Sequence, residues 1–264
     1  EKHFQGTLKN DATIKTIGSA ATGLYNVLNL GDSIGYFDMG EEIGKVMYHL
    51  DDYTIGAFYR VDTAYNNIAS AGNFLWNFSN SSNALADMNG YVIGSLSNQS
   101  HSISTNYYGS GNQAVSLAST ALKGEWHHLA YSQTATVGTL YVDGIMVNSG
   151  VVSNLPSTAL PKNGMIGTLF NWIGRSCYTT DAYLRKTLVH DFRLYKNALS
   201  DSEIYESKMN VAATLAALNT ATGISGLQNV ADSPYKIGVN SGVILINGLN
   251  GSEIVCIYDI TGRK

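Results

Sequence analysis

The chain has few charged residues, few prolines and few cysteines. Charged residues make up 14% of its 264 positions, against roughly a quarter in an average soluble domain. Two cysteines, Cys177 and Cys256, do not make a disulfide framework, and we interpret both as inert thiols. The net charge of −4 leaves no basic stripe, which excludes nucleic acid as an expected partner. No run of about 18 apolar residues predicts a membrane span.

Glycine and tyrosine are abundant instead, with 27 and 17 copies, and 44% of the residues are hydrophobic. This mixture is typical of a β-rich, turn-rich extracellular domain with a sizeable core. Short alternating segments recur every 8–12 residues or so, which predicts an antiparallel sandwich or barrel. The clearest segments are Asp52–Val61, Leu184–Tyr195 and Asn73–Ser79. Because alternate residues of a strand share a face, each segment predicts one such set: Tyr53, Ile55, Ala57, Tyr59 and Val61 in the first, Leu188, His190, Phe192 and Leu194 in the second, and Phe74, Trp76 and Phe78, which we expect to form a core face, in the third.

The segment Lys123–Gly144 organises the middle of the chain. It predicts three consecutive antiparallel strands, the last two joined by a type I′ turn at Asp143-Gly144. Neighbouring residues on a strand face opposite sides, so zinc ligation by the pair is not expected, and His128 or His127 is expected to be a hydrogen-bonded core imidazole. Trp76 and Trp126 are interpreted as structural.

One long helix is predicted near residue 200. Ser200 and Glu203 form a capping box, and Ile204 through Leu218 supply apolar residues at helical spacing. Short strands return in the tail, at Lys236–Val239, Val243–Asn247 and Glu253–Ile260.

The blocks GEWHHLAY and LYVDG, together with Trp172–Arg175 and His190–Ser200, resemble the laminin-G-like, concanavalin A-type jelly rolls of secreted bacterial glycan-degrading proteins. The tail GSEIVCIYDITGRK resembles the sorting-type β-modules of Bacteroidetes secreted proteins. The predicted organisation is therefore an all-β sandwich jelly roll with one C-terminal helix and a small β appendage. Its parts are a lead-in (1–22), the jelly roll (23–210), a helix end and linker (211–226) and a β-module (227–264).

The resemblance implies a secreted, periplasmic or outer-membrane-associated module that binds glycan and accompanies a glycoside hydrolase domain. A retaining glucanase needs two carboxylates roughly 5 Å apart, and no E-x-D-x-E strand supplies them; Glu41-Glu42 and Asp51-Asp52 are adjacent pairs. We therefore predict a non-catalytic module. Two alternatives stay open: a glycoside hydrolase with an unrecognised acid pair, and a structural or protein-contacting spacer.

Sugar binding requires an exposed aromatic ring and fixed polar partners. The predicted carbohydrate-binding residues lie in loops: Tyr107, Tyr108, Trp172, Tyr178 and Asp181. No cofactor is expected to be required. Related jelly rolls often hold a structural calcium ion, and the resemblance offers Asp38 and Asp191 as its ligands.

Overall fold

The computed structural model describes residues 5–19, 23–65, 72–81, 90–97, 100–107, 114–118, 123–160, 166–209, 236–240 and 243–247, with the strands at 100–107, 236–240 and 243–247 described by their backbone. Its strands, in chain order, are β1 (Thr7–Lys9), β2 (Thr13–Ser19), β3 (Gly23–Asn29), β4 (Tyr36–Asp38), β5 (Tyr53–Val61), β6 (Phe74–Ser79), β7 (Gly90–Ser97), β8 (Ser100–Tyr107), β9 (Ala114–Ala118), β10 (His127–Thr134), β11 (Val137–Val142), β12 (Ile145–Val151), β13 (Phe170–Ile173), β14 (Thr187–Tyr195), β15 (Lys236–Asn240) and β16 (Val243–Asn247). The helices are α1 (Glu41–Met47), α2 (Pro156–Ala159) and α3 (residues 201–209).

Two seven-stranded antiparallel sheets form a sandwich, which confirms the predicted fold class. Sheet A has the order β1-β4-β13-β6-β7-β8-β9, and sheet B has the order β12-β11-β10-β5-β14-β3-β2. Strands that are distant in sequence are neighbours in both sheets, as in a jelly roll. We call the side of each sheet that points away from the other sheet its outer face.

The core fills the space between the sheets. Strand β5 contributes the five residues that were predicted to share one face, and all five are buried in the main cluster: Tyr53, Ile55, Ala57, Tyr59 and Val61. From sheet A, Trp76 and Phe78 enter the same cluster. Trp126 is also buried, at 7% exposure, on the outer face of sheet B beside Phe58. Both tryptophans are therefore structural, as predicted.

Two bulges change the faces that strict alternation predicts. In β6 the register shifts between Phe74 and Trp76. Contrary to the prediction, Phe74 therefore does not share the core face of Trp76 and Phe78, and packs instead with Tyr91 on the outer face of sheet A. In β14 the register shifts between His190 and Arg193, where Asp191 has a φ of 52°. The single face expected for Leu188, His190, Phe192 and Leu194 was therefore wrong, because a bulge adds a residue and reverses the alternation after it.

The central strands follow the prediction closely. Strand β10 pairs with β11, and β11 pairs with β12. The turn between β11 and β12 has φ values of 53° at Asp143 and 78° at Gly144, as a type I′ turn requires. Ser200 caps α3: its backbone N–H donates to Glu203 Oε2 at 2.8 Å, which confirms the capping box. The predicted part of this helix beyond residue 209 lies outside the described residues.

Both ends of the chain contain strands. Residues in the predicted lead-in form β1 and β2, and β2 pairs with β3 along its whole length, so this segment belongs to the sandwich. Strands β15 and β16 match the first two predicted tail strands and pair antiparallel with each other; the third tail strand, Glu253–Ile260, lies outside the described residues. The chain divides into two compact units, Glu1–Ala221 and Thr222–Lys264, and this division falls within the predicted linker.

Candidate functional site

The outer face of sheet A carries the best-developed group of aromatic and polar side chains. Strand β13 lies between β4 and β6, and Trp172 pairs with Asp38 on one side and with Asn77 on the other. Asn77 pairs in turn with Ile93 of β7. Neighbouring strands are about 4.8 Å apart, so this row of four residues spans roughly 14 Å. The loop between β13 and β14 folds over it.

One cluster on this face surrounds Arg175. Its guanidinium carbon lies 4.0 Å from the ring centroid of Trp172, 4.9 Å from that of Tyr36 and 5.6 Å from that of Tyr183. Arg175 Nη1 donates a hydrogen bond to Tyr36 Oη at 3.0 Å. Phe170 adds an edge contact with Trp172, with the centroids 5.2 Å apart. The result is a charged group held by aromatic rings.

A second cluster lies at the other side of Asn77. Tyr178 packs against Phe74 and Tyr91, and its hydroxyl donates to Tyr91 Oη at 3.4 Å. Burial raises the pKa of both phenols, and the contact between them raises that of Tyr178 further. Asp181 Oδ2 accepts a hydrogen bond from Ser176 Oγ at 2.7 Å. Burial raises the pKa of Asp181 although this hydrogen bond opposes the shift.

The predicted sugar-binding residues fall into two groups. The first group lies on or over the outer face of sheet A and consists of Trp172, Tyr178 and Asp181. Both Tyr178 and Asp181 are part-buried. Trp172 differs from the expectation of an exposed loop ring, because it belongs to β13 and is only 4% exposed under the Arg175 guanidinium. Tyr107 ends β8, and Tyr108 lies outside the described residues.

Sequence reasoning missed three members of this face: Tyr36, Phe170 and Tyr183. Arg175 and Tyr36 are 139 positions apart in sequence, and no local pattern announces such a contact. Period-two spacing does place Phe170 with Trp172 and Tyr36 with Asp38, because alternate residues of a strand share a face. No comparable signal was present for Tyr183, which lies in the loop.

The two predicted calcium ligands belong to different sheets. Asp38 belongs to β4 of sheet A, where its Oδ1 accepts a hydrogen bond from Gly40 N at 3.1 Å. Asp191 belongs to β14 of sheet B and accepts from Arg193 Nε at 2.9 Å. Among the described residues, no three acidic, histidine or cysteine side chains are grouped so that they could hold a metal ion. A structural calcium ion with Asp38 and Asp191 as ligands stays a prediction.

The histidine pair separates as predicted. His127 Nδ1 lies 2.8 Å from Asp143 Oδ2, and Asp143 Oδ1 accepts from the backbone N–H of His128 at 2.8 Å. Burial opposes ionisation of Asp143, but these hydrogen bonds outweigh it and lower the pKa of its carboxyl group. His128 points to the opposite face, beneath α3, where it lies against Phe58 with the ring centroids 4.6 Å apart. Both histidines therefore act in packing and turn geometry.

A further concavity of about 220 Å³ lies near β2 and β3. Six of its lining residues are apolar, among them Phe37 and Phe192, and three are polar: Asn26, His190 and Asp191. The carboxylate of Asp191 already accepts a hydrogen bond from Arg193, and the described lining contains no tyrosine or tryptophan ring. A sugar site requires apolar ring surface together with fixed polar groups, and the outer face of sheet A combines several tyrosine rings with such groups.

Comparisons with known proteins agree with the fold. The family profile for the concanavalin A-like lectin/glucanases superfamily matches residues 40–205. None of the curated proteins matches this sequence. Within the described residues, no helix has the length and apolar character needed to cross a membrane.

Several solved structures are similar. The CBM40 of the Ruminococcus gnavus IT-sialidase, bound to α2,3-sialyllactose, has a TM-score of 0.53 and 13% identity, and the match covers 69% of this chain and 96% of that one. The receptor binding domain of botulinum neurotoxin C/D mosaic serotype has a TM-score of 0.54 and 10% identity, and the match covers 78% of this chain and 46% of that one. The binding domain of botulinum neurotoxin serotype D/C VPI 5993 has a TM-score of 0.55 and 11% identity, and the match covers 79% of this chain and 47% of that one. The chain spans just under half the length of these neurotoxin domains, and identities this low show the shared fold alone.

Proposed function

This chain belongs to the concanavalin A-like lectin/glucanases superfamily, and we propose that it is a non-catalytic carbohydrate-binding module whose outer face of sheet A receives the glycan. The observation that carries the proposal is the convergence of part-buried aromatic side chains with fixed polar groups on that face. We further propose that the module acts outside the cytoplasm, beside a glycoside hydrolase.

The exposed fraction of each side chain on this face determines the role that we propose for it. Trp172 is covered by a guanidinium, so it supports the face rather than stacking on a sugar. Tyr178 and Tyr183 are part-buried, leaving ring surface for the apolar side of a pyranose. Asp181, oriented by Ser176, offers a carboxylate oxygen to sugar hydroxyls. Rings and acceptor are held by packing, which reduces the ordering cost of binding.

The test is an affinity-gel and calorimetric survey of the intact chain with arabinan, xylan and host glycans. We expect one of these to bind, and Tyr178→Ala to weaken binding by roughly fivefold, since a stacked ring contributes on the order of 1 kcal/mol. The matched control is Tyr25→Ala, because Tyr25 is a part-buried tyrosine packed on the outer face of sheet B. Equal losses in the two variants would contradict the site.

The survey also separates the alternatives. A spacer would bind none of the glycans, and a hydrolase would release reducing sugar. If such release occurred and a single Asp→Asn or Glu→Gln change abolished it, the non-catalytic assignment would be wrong.

A further inference from the structure

Arg175 is fixed in place before any ligand arrives. Trp172, Tyr36 and Tyr183 surround its guanidinium at centroid distances of 4.0, 4.9 and 5.6 Å, and its Nη1 donates to Tyr36 Oη at 3.0 Å. A free arginine side chain carries about 2 kcal/mol of rotamer entropy. Here the rings have already restricted the guanidinium, so an incoming partner has little of that freedom left to remove.

This guanidinium has no counter-ion among the described residues. The ion pairs there are Lys45 with Glu42, His127 with Asp143, and Arg193 with Asp191. The contrast with Arg193 is direct, because Arg193 Nε donates to the Asp191 carboxylate at 2.9 Å. Within the described part of the chain, Arg175 has ring contacts and a single phenol as hydrogen-bond acceptor.

The acidic side chains on the same face hydrogen-bond to other donors. Asp38 accepts from Gly40 N, and Asp181 accepts from Ser176 Oγ. Neither pairs with Arg175. A guanidinium has five N–H donors, so after the bond to Tyr36 most of them remain for a ligand at the part-buried surface.

A planar guanidinium matches one ligand chemistry best. Its parallel N–H groups fit the two oxygens of a carboxylate, and such charge-assisted pairs are roughly twice as strong as neutral hydrogen bonds. We propose that Arg175 binds the carboxylate of an acidic sugar, so that this module selects glycans that contain uronic or sialic acid residues. This inference rests on the proposed function, because it names the class of glycan that the same face takes.

The experiment compares each acidic glycan with its neutral counterpart on the intact chain. Oligogalacturonate is titrated beside its carboxyl-reduced form, and sialyllactose beside lactose, with a sulfated neutral oligosaccharide as a third arm. We expect the wild-type protein to bind at least one acidic form roughly 10- to 100-fold more tightly than its neutral partner. This preference should shrink as salt is added, because exposed charges are screened.

Two substitutions locate the preference. Arg175→Gln should abolish it, and Arg175→Lys should retain only part of it, because an ammonium keeps the charge but lacks the fork. Arg185→Gln is the matched control, since Arg185 is an exposed arginine whose guanidinium lies over the ring of Tyr65 at 5.5 Å. Urea midpoints check folding, and the salt dependence of the wild-type protein provides a test that needs no variant.

The outcomes distinguish the two proposals. Neutral glycans that bind as tightly as acidic ones, or an acidic preference that survives Arg175→Gln, would overturn this inference and leave carbohydrate binding intact. Preference for the sulfated arm over both carboxylates would also overturn it. If no glycan of either kind bound the wild-type protein, the proposed function itself would fail.

Discussion

Acid should destabilise this protein through one buried side chain, His128. The residue is 4% exposed beneath α3, and within the described part of the chain its Nδ1 makes no hydrogen bond. Burial lowers the pKa of its imidazole to about 4, although the carboxylates of Asp143 and Asp191 oppose the shift. Lys208 and Arg193 add to the lowering. The folded protein therefore holds this histidine neutral over a pH range in which the unfolded chain protonates it.

The sign and size of the effect follow from linkage. The unperturbed pKa of histidine is 6.5, so between about pH 6.5 and about pH 4 the unfolded state binds one proton more than the folded state. The free energy of unfolding then decreases by about 1.4 kcal/mol for each unit by which the pH is lowered. Over the whole window the loss from His128 alone approaches about 3 kcal/mol, a large fraction of the 5–15 kcal/mol or so that is typical of a domain. Above pH 6.5 the contribution is fully present.

Urea unfolding at half-unit steps from pH 7 to pH 4.5 measures this slope. The comparison is with His128→Leu, whose slope should be smaller by about one proton whatever its absolute stability. His49→Leu, at an exposed position, controls for the removal of a histidine as such. Parallel slopes for the wild-type protein and His128→Leu would refute the reasoning. So would an NMR titration that shows His128 gaining its proton near pH 6.5 in the folded protein.

Two further predictions concern packing. A Cβ on Gly94 would overlap the buried ring of Trp76, so Gly94→Ala should lower the free energy of unfolding by about 3 kcal/mol or more. The control is Gly150→Ala, whose Cβ would meet Val115 Cγ2 at an ordinary 3.7 Å and should change the urea midpoint little. Burial raises the pKa of the Cys177 thiol to about 12, so iodoacetamide at pH 8 should label this cysteine only in urea, as peptide mapping would show. Equal midpoints for the two glycine variants, or native labelling of Cys177, would contradict these statements.

The features that local chemistry determines were predictable from the sequence. Residues 53–61 alternate through a single strand whose apolar face is the core, and the structure keeps that face intact. Asp143-Gly144 specifies its turn because positive φ is tolerated there, and Ser200 with Glu203 specifies a helix start because each satisfies the other's backbone N–H.

Other features depend on contacts that the sequence does not display. The bulge at Leu75 turns Phe74 away from the core, and no residue type in that strand marks it. Helix α1 was missed because its seven residues show too little helical periodicity; Ile43 and Met47 bury one side of it in the core. The Arg175 cluster joins β4 to the loop after β13, so it exists only once sheet A has formed. Residue types suggested a binding loop, but the cation held within it required the tertiary fold.

The central claim is that a glycan binds to the outer face of sheet A, and the most direct test is to map which residues a bound glycan contacts. Amide chemical shifts of the intact chain, followed during titration with the tightest ligand from the survey, would map that contact. The account predicts saturable shifts centred on Tyr36, Arg175, Tyr178, Asp181 and Tyr183, with sheet B beneath α3 unchanged. Shifts centred on sheet B around His128 would contradict it, and so would a chain that shows no shifts with any glycan.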